Sequence, residues 1–143
     1  MKANYHTHTT RCRHAIGDDE AYVKAAIGAG FDVLGFADHS PWRFASGYVS
    51  RIRMLPEELP GYLASIRALK ERYRGEITLY AGLEIEYFPM YLDQYQQLLD
   101  QGVEYLILGQ HYLESEELCT YVGQFDPAED ELVLRYADTV TEA

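Results

Sequence analysis

Two histidines near the N-terminus, His6 and His8, have the residue type and the spacing that metal binding requires. Side chains two residues apart on an extended strand point to the same face, so both imidazoles can face one point in space. Imidazole nitrogens are common ligands of divalent transition metals. The alternative is a pair of packed histidines bonded to backbone carbonyls, and the spacing alone does not decide between the two.

Other residues that could do chemistry lie at the ends of predicted strands. The chain has five histidines, and each lies at, or just past, the end of a predicted strand. In open sheets and barrels of parallel strands, sites form at the carboxyl ends of the strands. We therefore predict one shared site at four strand ends, built from His6 and His8, Asp38 and His39, Glu84, and His111.

Three further residues have two interpretations each. His14 is either a solvated loop histidine or a ligand of a second metal. Cys12 could bind a soft metal such as zinc, but free cysteines are often buried, which favours packing. Asp38 is either a helix cap or an acceptor that orients a metal-binding imidazole from the second coordination shell.

Glu84 and Glu86 are also two residues apart, at the end of an otherwise apolar strand. Burying a carboxylate without a partner is costly, and a metal ion supplies that partner for Glu84. A salt bridge to an arginine is the competing interpretation, and it applies more strongly to Glu86 than to Glu84.

Four arginines lie in the two loops nearest the predicted site, namely Arg51, Arg53, Arg13 and Arg43. Guanidinium groups recognise phosphate with bidentate geometry. A solvated surface role is the alternative for any single one, and we predict that one among the four binds an anion.

A cluster of this size suits two or three divalent metal ions. Closely spaced ions acidify a bound water and clamp the oxygens of a phosphoryl group. The residues by themselves therefore predict a metal-dependent hydrolase, with phosphate esters slightly favoured over amides.

The elements that must position these residues alternate between strand and helix, which predicts an α/β fold of parallel β/α units. The predicted strands are residues 2–6, 31–37, 77–84 (within the stretch 76–86) and 103–109. The predicted helices are residues 18–29, 60–74, 89–101 and a last helix that begins at Asp126-Pro127-Ala128-Glu129. The stretch 112–124 is open between a loop and a short hairpin. The strands are apolar runs, as expected of strands buried on both faces.

Length, net charge and cysteine count limit the class of protein to which this chain can belong. The 143 residues fit one domain, 1–143, and the net charge of -11 argues against nucleic acid or an anionic membrane as the main partner. Two cysteines, Cys12 and Cys119, provide no disulfide framework. With no leader or membrane-spanning run recognised, we expect a cytoplasmic protein.

Four motifs resemble those of the polymerase-and-histidinol-phosphatase (PHP) superfamily, in the family's order and spacing: Tyr5-His6-Thr7-His8, Ala37-Asp38-His39-Ser40, Gly82-Leu83-Glu84 and Gly109-Gln110-His111. The loop Arg11-Cys12-Arg13-His14-Ala15 is similar to the Cys-x-His-Ala element of its histidinol-phosphatases.

This resemblance implies a distorted TIM-like β/α barrel with a zinc, manganese or iron site. It also implies hydrolysis of L-histidinol phosphate to L-histidinol and phosphate in histidine biosynthesis, by a metal-held hydroxide and not by a side-chain nucleophile. Carried over by position, the metal ligands would be His6, His8, His14, His39, Glu84 and His111. The alternatives are another PHP phosphoesterase or nuclease, or an inactive metal-binding fragment.

Family members continue into further strands with another histidine and a final Asp-x-His, which do not follow His111 here. We therefore expect about four β/α units of a larger barrel and an incomplete ligand set. We also expect a chain that is marginally stable or needs a partner, with self-association through exposed strand edges.

Overall fold

The computed structural model describes residues 1–118, 120–124, 126 and 130–143. Its strands are β1 (Ala3–Asn4), β2 (Val33–His39), β3 (Thr78–Ile85) and β4 (Tyr105–Leu108). Its α-helices are α1 (Asp19–Gly28), α2 (Leu59–Arg72), α3 (Leu92–Asp100) and α4 (Asp130–Glu142). Strand and helix alternate, as the sequence predicts.

Local residue choices explain where the helices begin and end. The Asp18 side chain caps α1 by accepting a hydrogen bond from the backbone N–H of Ala21 at 2.7 Å. Gly30, Gly75 and Gly102, which follow the first three helices, have φ values of 73°, 88° and 106°. Glycine adopts this left-handed backbone without a steric penalty, so these positions end the helices as predicted.

The four strands form one parallel sheet in the order β1-β2-β3-β4. Consecutive parallel strands joined by helices are the arrangement of a β/α barrel segment. The predicted fold class, an α/β chain with four parallel units, is therefore confirmed. The β2–β3 register places His39 beside Glu84, which brings two predicted ligands to one end of the sheet.

The core lies around the two central strands. Every residue of β2 is buried, and α2 packs Leu59, Leu63, Ile66 and Leu69 into the same apolar cluster. The outer strand β4 is different, because its residues are only partly buried and Leu108 is 38% exposed. The prediction that this fourth strand is buried on both faces is therefore wrong, since only β3 pairs with it among the described strands.

Three local features are decided by the structure, namely two strand boundaries and the buried face of α1. The first strand pairs only at Ala3 and Asn4, so His6 and His8 follow the strand instead of lying on it. Asp38 and His39 belong to β2, which extends two residues further than predicted. In α1 the buried apolar residues are Val23 and Ala26.

The remaining predictions concern the C-terminal part. Tyr112 and Tyr121 form one isolated antiparallel bridge, so this stretch contains a minimal hairpin contact among short 3₁₀ turns. Cys119 and the proposed helix start at residues 127–129 lie outside the described residues. Within the part of the chain that the structure describes, no helix is long and apolar enough to cross a bilayer.

Candidate metal centre

Strand pairing and turns bring the candidate ligands to the carboxyl end of the sheet. His39 lies opposite Glu84 in the β2–β3 ladder, and the Ser40 N–H donates to the Glu84 carbonyl at 2.9 Å. The segment after β1 is tied to β2 by a hydrogen bond from the Ala37 N–H to the Thr7 carbonyl at 2.8 Å. That bond positions His6 and His8, on either side of Thr7, without a regular strand.

The buried carboxylate of Glu84 is the centre of the cluster. Its Oε2 atom lies 3.2 Å from His6 Nε2, 3.1 Å from His8 Nε2 and 3.2 Å from His39 Nδ1. Its Oε1 atom lies 3.1 Å from His111 Nε2, with hydrogen-bond geometry. One carboxylate therefore contacts four imidazoles that come from three segments of the chain.

The Oε2 contacts are not hydrogen bonds. Among the described residues, Glu84 Oε2 and His39 Nδ1 are buried atoms without a hydrogen-bond partner. Unpartnered buried polar atoms are costly, and native proteins usually satisfy them with protein groups, water or an ion. Nitrogen and oxygen atoms that converge without bonding to one another fit a shared cation, so these residues fit a divalent metal.

The fifth histidine, His14, joins the cluster on the side of His8 and His39. Its ring centroid lies 5.0 Å from that of His8 and 5.3 Å from that of His39. These three rings form one group whose ligand atoms all lie within 4.8 Å of one another. Two further such groups are His6, His8 and Glu84, and His39, Glu84 and His111.

Asp38 has a different set of contacts from the predicted one. It is fully buried, and its carboxylate accepts hydrogen bonds from the backbone and hydroxyl of Thr9 and from the Cys12 thiol. Cys12 lies between Asp38 and His8, so a second-shell role for Asp38 would act through the Cys12 thiol, and it stays a prediction. Cys12 is buried as predicted, but its sulfur is hydrogen-bonded within the cluster.

Burial and mutual contacts change the pKa values in the cluster. Burial is the main cause that lowers the pKa of His39 to about 3. The charge of Glu84 acts to raise this pKa, and Arg53, His8 and His111 lower it further. Burial acts to raise the pKa of Glu84, but contacts with His111, His8, His39 and His6 lower it below its ordinary value. The contact with Glu84 raises the pKa of His111. A neutral His39 and an ionised Glu84 are the protonation states that metal ligands need.

Arg53, one of the four predicted anion ligands, is buried in a charge network next to the cluster. Its side chain is 1% exposed, and it contacts Glu86 Oε1 through Nη2 and Glu116 Oε2 through Nε, each at 2.7 Å. The arginine interpretation of Glu86 therefore holds. Two carboxylates neutralise Arg53, but its buried Nη1 has no hydrogen-bond partner among the described residues, and its anion-binding role stays a prediction. Sequence reasoning missed Glu116, which carries no motif.

The other three arginines are exposed and lie in the loops around the cluster. Arg13 follows Cys12 in a left-handed conformation with φ of 59°, and its side chain donates to the Arg53 carbonyl. Arg43 contacts Gln94 through its backbone only. The anion-binding role of Arg13, Arg43 and Arg51 stays a prediction.

Comparison with known protein families places this geometry in context. The family described as "PHP domain" matches residues 4–143. A Deinococcus radiodurans protein named "Probable histidinol-phosphatase" is 34% identical over 111 residues, which cover 76% of this chain and 41% of that protein. The Bacillus subtilis "Histidinol-phosphatase" is 31% identical over 128 residues, which cover 83% of this chain and 48% of that protein. The chain therefore spans less than half the length of these two relatives.

Two solved structures share the fold. A hisK protein of Listeria monocytogenes, described as a candidate histidinol phosphatase, has a TM-score of 0.67 and 27% identity, covering 80% of this chain and 47% of that one. The histidinol phosphate phosphatase of Lactococcus lactis, crystallised with zinc, L-histidinol and phosphate, has a TM-score of 0.63 and 22% identity, covering 77% and 40%.

Proposed function

The chain belongs to the PHP domain family, and from this premise we propose that it contributes the metal-binding residues of a metal-dependent phosphomonoesterase acting on L-histidinol phosphate. One observation carries the proposal: four imidazoles from three segments converge on the Glu84 carboxylate, whose Oε2 has no hydrogen-bond partner among the described residues. The named relatives support the choice of substrate class.

The proposed ligands are the cluster residues His6, His8, His14, His39, Glu84 and His111. They form three overlapping groups of three, which supports two or three ions, and Glu84 belongs to two of the groups. A carboxylate can bridge two ions, and Glu84 is the residue that we propose for this role. Zinc is the first metal to test, because the Lactococcus lactis protein was crystallised with it. Manganese and iron are the alternatives.

The chain's own residues would serve catalysis by position and charge. Bound divalent ions would supply a hydroxide at neutral pH and polarise the phosphoryl oxygens. Glu84 and the imidazoles hold that site in one arrangement, because two packed strands position His39 and Glu84. The exposed Arg13, Arg43 and Arg51 are the proposed contacts for the remaining charge of the phosphate. Histidine biosynthesis is the pathway that this substrate would imply.

Phosphate release by the zinc-loaded or manganese-loaded chain tests the proposal. We expect release from L-histidinol phosphate that stops on chelation and returns on adding metal. Glu84→Gln should lower both metal affinity and turnover by more than about 100-fold, because a ligand should matter more than an outer-shell partner. Glu76→Gln, at an exposed carboxylate, is the matched control.

Two results would contradict the proposal. A chain that binds Zn²⁺ and Mn²⁺ no more tightly than Glu84→Gln does would overturn it. Hydrolysis of DNA ends without activity on L-histidinol phosphate would point to a different phosphoesterase.

A further inference from the structure

Cys12 contacts three of the proposed histidine ligands, and its sulfur makes hydrogen bonds in three directions. The His39 backbone N–H donates to Sγ at 2.9 Å, Sγ lies 3.0 Å from Asp38 Oδ1, and it lies 3.3 Å from His8 Nδ1. The Cys12 carbonyl oxygen lies 2.7 Å from His14 Nδ1. A buried thiol that only fills space would not need these contacts.

Counting protons decides the direction of each bond. A carboxylate only accepts hydrogen bonds, so the single thiol proton points to Asp38 Oδ1. The sulfur then has no proton left for His8, and its lone pairs accept from the His39 N–H and from His8 Nδ1–H. His8 therefore carries its proton on Nδ1 and keeps a lone pair on Nε2.

The contacts of His8 Nε2 agree with this assignment of the proton. His8 Nε2 lies 3.1 Å from Glu84 Oε2, yet Glu84 Oε2 has no hydrogen-bond partner among the described residues. A lone pair on Nε2 is what a metal ion requires, and metal-binding histidines usually donate their other ring N–H to an outer partner. In this chain the outer partner of His8 is a thiol, which is itself held by Asp38.

A backbone carbonyl fixes the tautomer of His14 in the same way. A carbonyl oxygen only accepts, so His14 Nδ1 must be the protonated nitrogen, which leaves Nε2 free. The left-handed conformation of Arg13, with φ of 59°, turns the chain so that His14 folds back over the Cys12 carbonyl. One residue thus orients two imidazoles, one through its side chain and one through its main chain.

We propose that Cys12 is a positioning residue that sets the Nδ1–H tautomer of His8 before metal binds, with Thr9 and Asp38 holding its thiol in place. The significance of this role for catalysis rests on the proposed function, but the tautomer itself does not. The rival interpretation makes Cys12 a metal ligand, because His8, Cys12 and Asp38 also form a group with metal-binding spacing.

Ring ¹⁵N NMR shifts of the metal-free 143-residue chain, recorded above the ordinary histidine pKa of about 6.5, report the tautomers directly. We expect His8 and His14 both to carry Nδ1–H in the wild-type chain. In Cys12→Ala, His8 should become a mixture of tautomers. His14 should keep its Nδ1–H, because the carbonyl that holds it remains, and it serves as a control in the same spectrum.

Metal affinity provides the second readout. Cys12→Ala should bind Zn²⁺ about 10- to 100-fold more weakly, the usual effect of losing an outer-shell partner. Cys12→Ser keeps a group that both donates and accepts, so it should restore most of the affinity. Val23→Ala, which truncates a buried core residue of α1, controls for general loss of stability and should leave the His8 tautomer unchanged.

Three results would overturn the inference. The first is a wild-type chain with His8 protonated on Nε2, which needs no variant to measure. The second is a folded Cys12→Ala chain whose His8 tautomer and zinc affinity are unchanged. The third is a sulfur-to-metal charge-transfer band with Co²⁺ that disappears in Cys12→Ala, which would make Cys12 a ligand. A chain with the expected tautomers that binds no divalent metal would refute only the proposed function.

Discussion

The imidazoles around Glu84 and the guanidinium of Arg53 represent two ways of neutralising a buried carboxylate. Glu84 and Glu86 are two residues apart and both almost fully buried. Glu84 Oε2 faces three imidazole nitrogens without hydrogen bonding to them, whereas Glu86 Oε1 has a direct ion pair with Arg53. The same residue type therefore serves a ligand site at one position and an ion pair at the next, and the difference comes from the partners.

Replacing Arg53 by methionine should show that its main role is to neutralise these carboxylates. Arg53→Met leaves Glu86 and Glu116 buried without their cation, so we expect a loss of about 3–5 kcal/mol in the free energy of unfolding. Urea denaturation measures it. Arg51→Met, at an exposed arginine of the same loop, should stay within about 0.5 kcal/mol of the wild type.

If Arg53 instead binds the substrate phosphate, its replacement should change KM and not the free energy of unfolding. A raised KM for L-histidinol phosphate in Arg53→Met with unchanged stability would support the phosphate role and contradict the structural one.

At the scale of elements, Gly109, the residue after β4, lies against the Glu84 side chain near the end of β3. A Cβ atom at Gly109 would overlap the carboxylate of Glu84. Gly109→Ala should therefore displace the carboxylate and weaken zinc binding by about 10-fold or more, a loss of the order seen when a ligand is misoriented.

Calorimetric zinc titration of Gly109→Ala, together with its urea unfolding curve, tests this expectation. Gly61→Ala is the matched control, because nothing would meet a Cβ at Gly61 within 4 Å. It should leave zinc binding unchanged and stabilise α2 by about 0.5–1 kcal/mol. Unchanged zinc affinity in Gly109→Ala would show that the Glu84 carboxylate adapts without loss.

The contact between α1 and α2 should make stability depend on pH through Glu20. The hydroxyl of Tyr73, then Arg72 and Lys24, lower the pKa of Glu20 to about 2. Because this value lies below the ordinary glutamate pKa of about 4.3, ionised Glu20 stabilises the folded chain above that pH. The stabilisation is lost as the pH falls from about 4.5 through 2.

Thermal unfolding midpoints measured across this range should fall less steeply in Glu20→Gln than in the wild type. Glu57→Gln, at another exposed carboxylate, is the comparison. Equal slopes for wild type and Glu20→Gln would refute a role for this contact in acid stability.

At the scale of the whole molecule, the apolar surface is unevenly covered. Among the described strands, β4 pairs only with β3, so its other edge presents unpaired backbone groups beside the half-exposed Leu108. The described helix α4 buries none of its residues and exposes Leu134 at 64%. Exposed strand edges favour pairing between chains, so we expect this chain to self-associate.

Sedimentation velocity over a range of concentrations tests that expectation. Leu108→Lys should lower the association, because a charged side chain at a strand edge opposes pairing. Leu134→Lys, at the exposed face of α4, separates association through the helix from association through the strand. A wild-type chain that stays monomeric at every concentration and has high thermal stability would contradict the prediction.

The chain order of elements and the gathering of the histidines were predictable from the sequence. Apolar runs and the glycines at 30, 75 and 102 placed the elements, and parallel topology then required strand ends to meet at one edge. His39 and Glu84 lie together for that reason. The strand-spacing argument for His6 and His8 reached the same place although β1 ends at Asn4.

Only the tertiary structure decided which polar group faces which. Arg53 and Glu116 are 63 residues apart, and Cys12 and His39 are 27 apart, so no local pattern links either pair. The partial exposure of β4 could not be predicted from its own residues for the same reason. Hydrophobic pattern and spacing indicate which side chains of a segment must be buried. Which residue covers them, or completes their hydrogen bonds, depends on packing between segments that are distant in the chain.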